Sequence, residues 1–105
     1  MPPRPGEIWL ADLGLAAKTR PVVIVSREDN EAPRALVIYV PLTTQYRGSA
    51  YEVALGRLPC LHESSYANTQ GLGSLPTVRL ERRIGILPAG TLVKIQDALR
   101  FTLGL

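Results

Sequence analysis

The chain has 105 residues, a length that fits one domain able to bury roughly two thirds of the surface that the unfolded chain exposes. Hydrophobic residues make up 46% of the chain and charged residues 20%, a balance that excludes an intrinsically disordered protein. The start, MPPRPGEIW, lacks the apolar run of a signal peptide, and no apolar stretch approaches the roughly 20 residues of a membrane span, so we expect a cytoplasmic protein without membrane contact.

Alternating and β-branched runs predict short strands in the first half of the chain. Residues 7–13 alternate in a way that is typical of a strand, and residues 14–19 are expected to form a loop. Residues 22–26 and 35–42 are β-branched runs that predict neighbouring buried strands. Residues 51–55 place Tyr, Val and Leu at every second position, which indicates a half-buried strand.

The second half of the chain predicts further strands and one helix. Residues 56–65 are irregular, and residues 67–74 and 77–87 supply one or two more strands. Pro88 suits a helix start and Gly104 a C-terminal cap, with helical spacing between Leu92, Ile95, Leu99 and Leu103. We therefore expect a mainly β fold with a C-terminal helix, in which the helix lies on the flank of a small, curled, barrel-like sheet.

The basic residues are strongly biased towards arginine. The formal net charge is only +3, yet ten of the 12 basic residues are Arg. The planar guanidinium binds phosphate through two parallel hydrogen bonds and stacks on bases, whereas lysine acts as a mobile point charge. The bias favours a nucleic-acid partner, and its alternative explanation is the base composition of the genome.

Two motifs place complementary groups at strand ends. In TRPVVIVS, Arg20 precedes an apolar run. In VPLTTQYRGSAYEV, a second apolar strand ends in Thr43, Thr44 and Gln45. A cation at one strand end and a pair of hydroxyls at another are suited to binding a phosphate group.

Both motifs resemble the MazF/PemK family of toxin endoribonucleases. Five segments follow the order of that family: PGEIWLADL, TRPVVIVS, VPLTTQYRGSAYEVAL, NTQGLGS and a closing amphipathic helix. The resemblance implies a single domain over residues 1–105, built as an SH3-like barrel that works as a homodimer. It also implies a toxin that cleaves single-stranded RNA such as mRNA at specific sequences, and that is inhibited by a cognate antitoxin.

The resemblance assigns catalysis to Arg20 and to Thr43, the first threonine of the pair. Arg20 would neutralise the non-bridging phosphate oxygens as charge builds up, and Thr43 would donate a hydrogen bond there. Thr44 should point the other way on an extended strand, which favours a structural role. A wider set of side chains is predicted to bind RNA: Lys18, Thr19, Thr44, Gln45, Tyr46, Arg47, Asn68 and Gln70.

The expected reaction needs neither a metal nor another cofactor. The RNA 2′-hydroxyl is itself the nucleophile, so the protein has to align it, stabilise charge and move protons. The sequence has no HExxH or paired CxxC motif, and its acidic cluster of Glu28, Asp29 and Glu31 is typical of a solvated turn. The identity of the general base stays open, because arginine stays protonated far above neutral pH and is a poor base. Either Arg20 lies in a perturbed site, or water or Glu52 moves the protons.

Other interpretations remain for the same residues. Arg20 and Thr43 could be ordinary strand-end residues, Trp9 a packing residue of the core or of a dimer face, and Arg82-Arg83 a solvated pair. The function could be that of a gyrase poison of the CcdB type, or of a non-catalytic SH3-like module that binds nucleic acid or peptide. The short loop GLAAKT at residues 14–19 lacks the longer Gly-rich, acidic segment of many family members. Target sequence and antitoxin geometry therefore do not transfer by resemblance.

Overall fold

Seven strands and a C-terminal helix form the part of the chain that the computed structural model describes, residues 2–14 and 19–105. The strands are β1 (Glu7–Asp12), β2 (Thr19–Ile24), β3 (Leu36–Thr43), β4 (Glu52–Gly56), β5 (Ser65–Asn68), β6 (Gly73–Pro76) and β7 (Leu80–Ile86). Single 3-10 turns at Thr69–Gly71 and Thr77–Arg79 flank β6, and helix α1 (Ala89–Leu103) follows β7. The predicted mainly β fold with a C-terminal helix is confirmed.

Strand β3 is the centre of an antiparallel sheet. Its first half pairs with β6 and its last two residues with β5, while β2 pairs with its middle. The order across the sheet is β4-β5-β3-β2-β1-β7. Since no pairing joins β4 to β7 among the described residues, the sheet is curled and not closed there.

Neighbouring residues of β2 and β3 enter two different hydrophobic cores. Val23 and Val40 belong to the larger core, which also receives Ile95 of α1. Val22 and Val37 belong to a smaller core, on the opposite face because side chains alternate along a strand. Val22, Val23 and Ile24 of β2 are fully buried although they alternate between these two faces, which explains the continuous apolar run of that strand, since a strand with one wet face alternates with polar residues.

Helix α1 ends where the sequence predicts. Gly104 is the C-cap and has a left-handed φ of 71°, which glycine adopts without strain. Ile95 is fully buried, but Leu103 is 54% exposed. At about 100° per residue, Leu103 is turned by about 80° from Ile95 around the helix axis, whereas Thr102 is turned by only about 20°. Thr102 consequently faces the sheet, and its hydroxyl oxygen lies 2.6 Å from that of Thr69.

Two strand boundaries differ from the prediction. β2 begins at Thr19, so Arg20 lies inside the strand and not before it. The segment 67–74 divides into the end of β5, a 3-10 turn and the start of β6, because the Asn68 side chain caps the turn by accepting from the Gln70 N–H. Together with β7 this gives three strands where one or two were predicted.

The loop predicted at 14–19 falls largely in residues 15–18, outside the described residues. Within residues 2–14 and 19–105, no helix has the length and apolar character needed to cross a membrane.

Candidate active site between β2 and β3

Arg20 of β2 and Thr43 of β3 lie on the same face of the sheet. The last pair that joins β2 to β3 is Val22 with Pro41, and Arg20 and Thr43 each lie two residues beyond it on their own strand. Residues two apart on a strand share a face. The two residues predicted to be catalytic therefore lie on the same side of the sheet, just past the last pair of their strands.

A cleft of about 330 Å³ opens beside these two side chains. It is lined by Arg20, Pro21, Leu42, Thr43, Thr44, Gln45 and Ser65. Arg20 is exposed, and none of the ion pairs formed between described residues involves it. Its guanidinium is open to an anion in the cleft, and a phosphate matches its fork of donors.

The Thr43 hydroxyl keeps its proton for a ligand. Its Oγ1 accepts a hydrogen bond from the backbone N–H of Gln45 at 3.0 Å. A hydroxyl has one proton and two lone pairs, so the proton remains available for donation into the cleft. The same contact turns the chain as β3 ends at Thr43. Thr44 follows the strand and also lines this cleft, and its structural role stays a prediction.

A second cleft of about 430 Å³ continues from the first. Its lining residues are Thr43, Gln45, Arg47, Ser49, Tyr51, Glu52, Asn68 and Gln70. Because Thr43 and Gln45 line both clefts, the two form one groove that runs from Arg20 to Gln70. The groove brings together most of the residues that were predicted to bind RNA.

Glu52 orders the loop along this groove. Its carboxylate accepts hydrogen bonds from the backbone N–H of Ser49 at 3.0 Å, from the Ser49 hydroxyl at 2.9 Å and from the backbone N–H of Arg47 at 3.2 Å. The Ser49 backbone bond is the main cause that lowers the pKa of Glu52, and the Ser49 hydroxyl and Arg47 add to it, so the carboxylate is ionised at neutral pH. A carboxylate held in this way shapes the loop of residues 47–52.

Three residues predicted to bind RNA lie outside the groove lining or outside the described residues. Thr19 points away from Arg20 on the strand, and its hydroxyl donates to Glu81 at 3.0 Å. Tyr46 lines neither cleft and stacks on Tyr66. Lys18 belongs to residues 15–18, which the structure does not describe. RNA-binding roles for Thr19, Tyr46 and Lys18 stay predictions.

Several groove residues were not singled out from the sequence. Ser65 is buried at the floor of the first cleft, and Ser49 and Tyr51 line the second. Tyr66 lines neither cleft, but it pairs with Thr43 across β5 and β3. These residues come from separate loops and from a strand whose start was read as irregular, so only the strand register could have placed them beside Thr43.

Glu7 and Trp9 form a buried polar cluster away from the groove. The Trp9 indole donates to the Glu7 carboxylate at 3.0 Å, and the Arg83 guanidinium lies 3.3 Å from it. Burial by itself raises the pKa of Glu7, but the hydrogen bonds from Trp9 and from the Arg4 N–H, with the charge of Arg83, outweigh it and lower the pKa. Trp9 also packs against the smaller core. Arg82 and Arg83 are both exposed, and Arg83 forms an ion pair with Glu7.

In the part of the chain that the structure describes, no group of three His, Cys, Asp or Glu side chains is placed to hold a metal ion.

Comparison with known proteins assigns the family. The statistical model of the PemK-like, MazF-like toxins of type II toxin–antitoxin systems matches residues 4–103. The chain belongs to this family. Among curated relatives, the endoribonuclease MazF4 of Mycobacterium tuberculosis is 34% identical over 103 residues, which cover 98% of this chain and 94% of the relative. The endoribonuclease MazF3 of the same organism is 32% identical over 82 residues, covering 78% and 80% of the two chains.

Solved structures of MazF-like toxins share the fold. An endoribonuclease in complex with its cognate antitoxin, from a mycobacterial species, matches with a TM-score of 0.85 and 32% identity, covering 98% of this chain and 96% of that one. The resemblance to MazF/PemK toxins is therefore confirmed over nearly the whole chain.

Proposed function

We propose that this MazF-like endoribonuclease cleaves single-stranded RNA, including mRNA, at specific sequences, and that it does so by attack of a 2′-hydroxyl without a metal ion. The observation that supports the proposal is that Arg20 of β2 and Thr43 of β3 line one cleft, just past the last pair that joins their strands. A guanidinium and a free hydroxyl proton converge there on space that fits a phosphate. The chain acts as one catalytic domain, and its site of action is the cytoplasm.

The reaction follows from the chemistry of RNA. The 2′-oxygen forms a bond to the neighbouring phosphorus while the bond from phosphorus to the 5′-oxygen of the next nucleotide breaks. The products are a 2′,3′-cyclic phosphate and a free 5′-hydroxyl. One proton leaves the 2′-hydroxyl, and one is taken up by the departing 5′-oxygen. Arg20 neutralises the charge that grows on the non-bridging oxygens, and Thr43 donates a hydrogen bond to one of them.

Water is the proton carrier that fits this site best. A guanidinium is a poor general base. Glu52 is ionised, but Ser49 and Arg47 already occupy its oxygens as hydrogen-bond donors. Catalysis then depends on alignment and electrostatic stabilisation more than on a strong general base. Glu52 contributes by keeping Arg47 and Ser49 in place along the groove.

The second cleft holds the nucleotides that flank the cut. Gln45, Asn68 and Gln70 offer amide donors and acceptors there, and Arg47 supplies positive charge. Single-stranded bases expose the edges that such groups recognise, so sequence preference is expected to arise from this cleft. Lys18 and Thr19 would extend the contact surface at the Arg20 end.

A homodimer is part of the proposal. Apolar side chains remain exposed on the strands, with Ile38 at 44% and Ile86 at 61%, and on the helix, with Phe101 at 55%. Side chains of this kind can pack against a second copy of the chain. The mass in dilute solution tests this, since a monomer at every concentration would contradict it.

A cognate antitoxin is the proposed regulator. A structural neighbour at 32% identity is an endoribonuclease bound to its cognate antitoxin. For this chain, a disordered acidic segment of the antitoxin would lie along the groove, where Arg20 and Arg47 provide complementary charge. Inhibitor and RNA would then compete for the same arginines.

The experiment that tests the function is an RNA cleavage assay with the purified full chain. A long single-stranded RNA and a DNA of the same sequence are incubated with the protein in EDTA. Cleavage of the RNA alone supports the proposal. Absence of cleavage, with or without magnesium, would favour a non-catalytic module or a CcdB-like gyrase-binding protein.

A further inference from the structure

Tyr66 adds a third residue to the Arg20–Thr43 pair. The register of β3 and β5 pairs Thr43 with Tyr66, so these two side chains leave the sheet on the same face. Thr43 and Tyr66 are separated by one strand spacing of about 4.8 Å, and Thr43 lines the same cleft as Arg20. An aromatic ring thus stands beside a residue of the cleft that contains the guanidinium.

The ring of Tyr46 covers the ring of Tyr66. Their centroids are 4.4 Å apart and their planes differ by 12°, which is a stacked arrangement. Tyr46 is 55% exposed, while Tyr66 is half-buried, so Tyr66 is the inner ring of the pair. The outer face of Tyr46 is therefore open to a ligand.

The backbone on both sides of Tyr46 is fixed by side chains already described. The N–H of Gln45 donates to the Thr43 hydroxyl at 3.0 Å, and the N–H of Arg47 donates to the Glu52 carboxylate at 3.2 Å. Together with the stack on Tyr66, these contacts set the plane of the Tyr46 ring before any RNA arrives. A preordered ring costs less entropy when a ligand stacks on it.

We propose that the Tyr46–Tyr66 pair binds one nucleobase next to the scissile phosphate, by stacking on the open face of Tyr46. The inference rests on the proposed function, in which Arg20 and Thr43 hold that phosphate. Tyr66 stands one strand spacing from Thr43, a distance suited to a base whose own phosphate lies in the first cleft. Tyr66 is a positioning residue, since it acts through Tyr46.

Stacking on an aromatic ring is tolerant of base identity. The pair thus fixes where the RNA strand lies relative to Arg20, and it leaves the reading of sequence to the amide side chains of the second cleft. This division predicts that loss of either ring slows cleavage without moving the cut site.

The test combines changes in the protein with changes in the RNA. After the cut site is mapped, oligonucleotides are made with an abasic nucleotide on one or the other side of the cleaved bond. On intact RNA, Tyr46→Leu and Tyr66→Leu should each lower kcat/KM about ten-fold, the loss expected for one stacked base, while Tyr66→Phe stays near the wild-type value. On one of the abasic RNAs, kcat/KM of the wild type should fall to the value of the Leu variants. The difference in kcat/KM between wild type and variants then disappears.

Tyr39→Leu is the matched control, because Tyr39 lies on β3 at a position that shares a face with Thr43 but packs against the smaller core. Tyr39→Leu should leave the ratio of kcat/KM on intact RNA to kcat/KM on abasic RNA at the wild-type value. Tyr46 is on an exposed loop, so Tyr46→Leu carries the test even if Tyr66→Leu fails to fold.

Two results would overturn the stacking proposal while leaving the endoribonuclease intact. One is a folded Tyr46→Leu variant that cleaves intact RNA at the wild-type rate. The other is a loss of kcat/KM in the Leu variants that has the same size on intact RNA and on both abasic RNAs. A wild-type protein that cleaves no RNA would overturn the proposed function and the stacking proposal with it.

Discussion

Arg20 of β2 and Thr43 of β3 line the same cleft, each two residues beyond the pair that Val22 and Pro41 form. The sheet thereby joins two motifs that lie far apart in the sequence and brings a guanidinium and a hydroxyl to the same cleft. Both groups come from strands and not from loops, so the sheet holds the backbone that carries them. Preorganised donors of this kind can stabilise a transition state without rearrangement.

Removal of either donor should slow the chemical step. Arg20→Ala and Thr43→Ala should each lower the single-turnover rate by about 100-fold or more, the usual cost of losing one transition-state donor. Thr43→Ser keeps the hydroxyl and should retain most of the activity. Thr44→Ala is the control at the neighbouring position and should lower the single-turnover rate less. Thermal melting confirms that each variant is folded. A severe loss in Thr44→Ala together with an active Thr43→Ala would mean that the roles of the two threonines are reversed.

Glu52→Gln separates loop ordering from general-base catalysis. If Glu52 shapes the loop of residues 47–52, the substitution should raise KM several-fold, because Arg47 and Ser49 lose a charged acceptor, and should leave the pH dependence of kcat unchanged. A fall in kcat of about 100-fold, with loss of the acid limb of the pH–rate profile, would instead identify Glu52 as the base.

Acid should weaken the fold through Glu7. The pKa of Glu7 is lowered in the folded state from its usual 4.5, so the ionised carboxylate stabilises the fold fully above about pH 4.5 and progressively less as the pH falls through the folded value. Glu7→Gln should cost about 1–3 kcal/mol of unfolding free energy at pH 7, because Trp9 and Arg83 lose a charged, buried partner.

Denaturant melts at several pH values measure how the ionisation of Glu7 affects the free energy of unfolding. The stability difference between wild type and Glu7→Gln should shrink below pH 4.5, and a difference that stays constant down to pH 3 would contradict it. Asp97→Asn is the control, since the Asp97–Arg100 ion pair is exposed and should contribute little at any pH.

Arg47 should contribute to the binding of both the RNA substrate and the antitoxin. Arg47→Glu is expected to weaken binding of single-stranded RNA and of an acidic antitoxin segment alike, and to reduce the salt dependence of RNA binding by about 0.7 in log–log slope for one lost phosphate contact. Competition titrations at several salt concentrations measure both effects. Simultaneous binding of RNA and inhibitor without mutual loss of affinity would rule out a shared groove.

The fold was predicted because its signals are local. Apolar runs identify β2 and β3 and indicated that they are neighbours, and Gly104 identifies the end of α1. The catalytic roles of Arg20 and Thr43 came from resemblance to MazF/PemK toxins and stay predictions, although both residues line one cleft. The family match over residues 4–103 confirms that resemblance.

Features that depend on register or on rotation about an axis were not predicted. The position of Tyr66 beside Thr43 follows from the pairing between β3 and β5. Leu103 fits a helical repeat, but a rotation of about 80° from Ile95 takes it out of the buried stripe. Thr19 seemed to continue the Arg20 site, yet alternation along β2 turns its hydroxyl to Glu81.

The most direct test of metal-free attack by the 2′-hydroxyl uses one modified RNA. An oligonucleotide that spans the mapped cut site is made with a single 2′-deoxy nucleotide on the 5′ side of the cleaved bond, and it is compared with the all-ribose strand in EDTA. We expect full cleavage of the all-ribose strand, with a 2′,3′-cyclic phosphate end, and no cleavage at the deoxy position. Cleavage of the deoxy strand at that bond, or activity that disappears in EDTA and returns with magnesium, would contradict the mechanism.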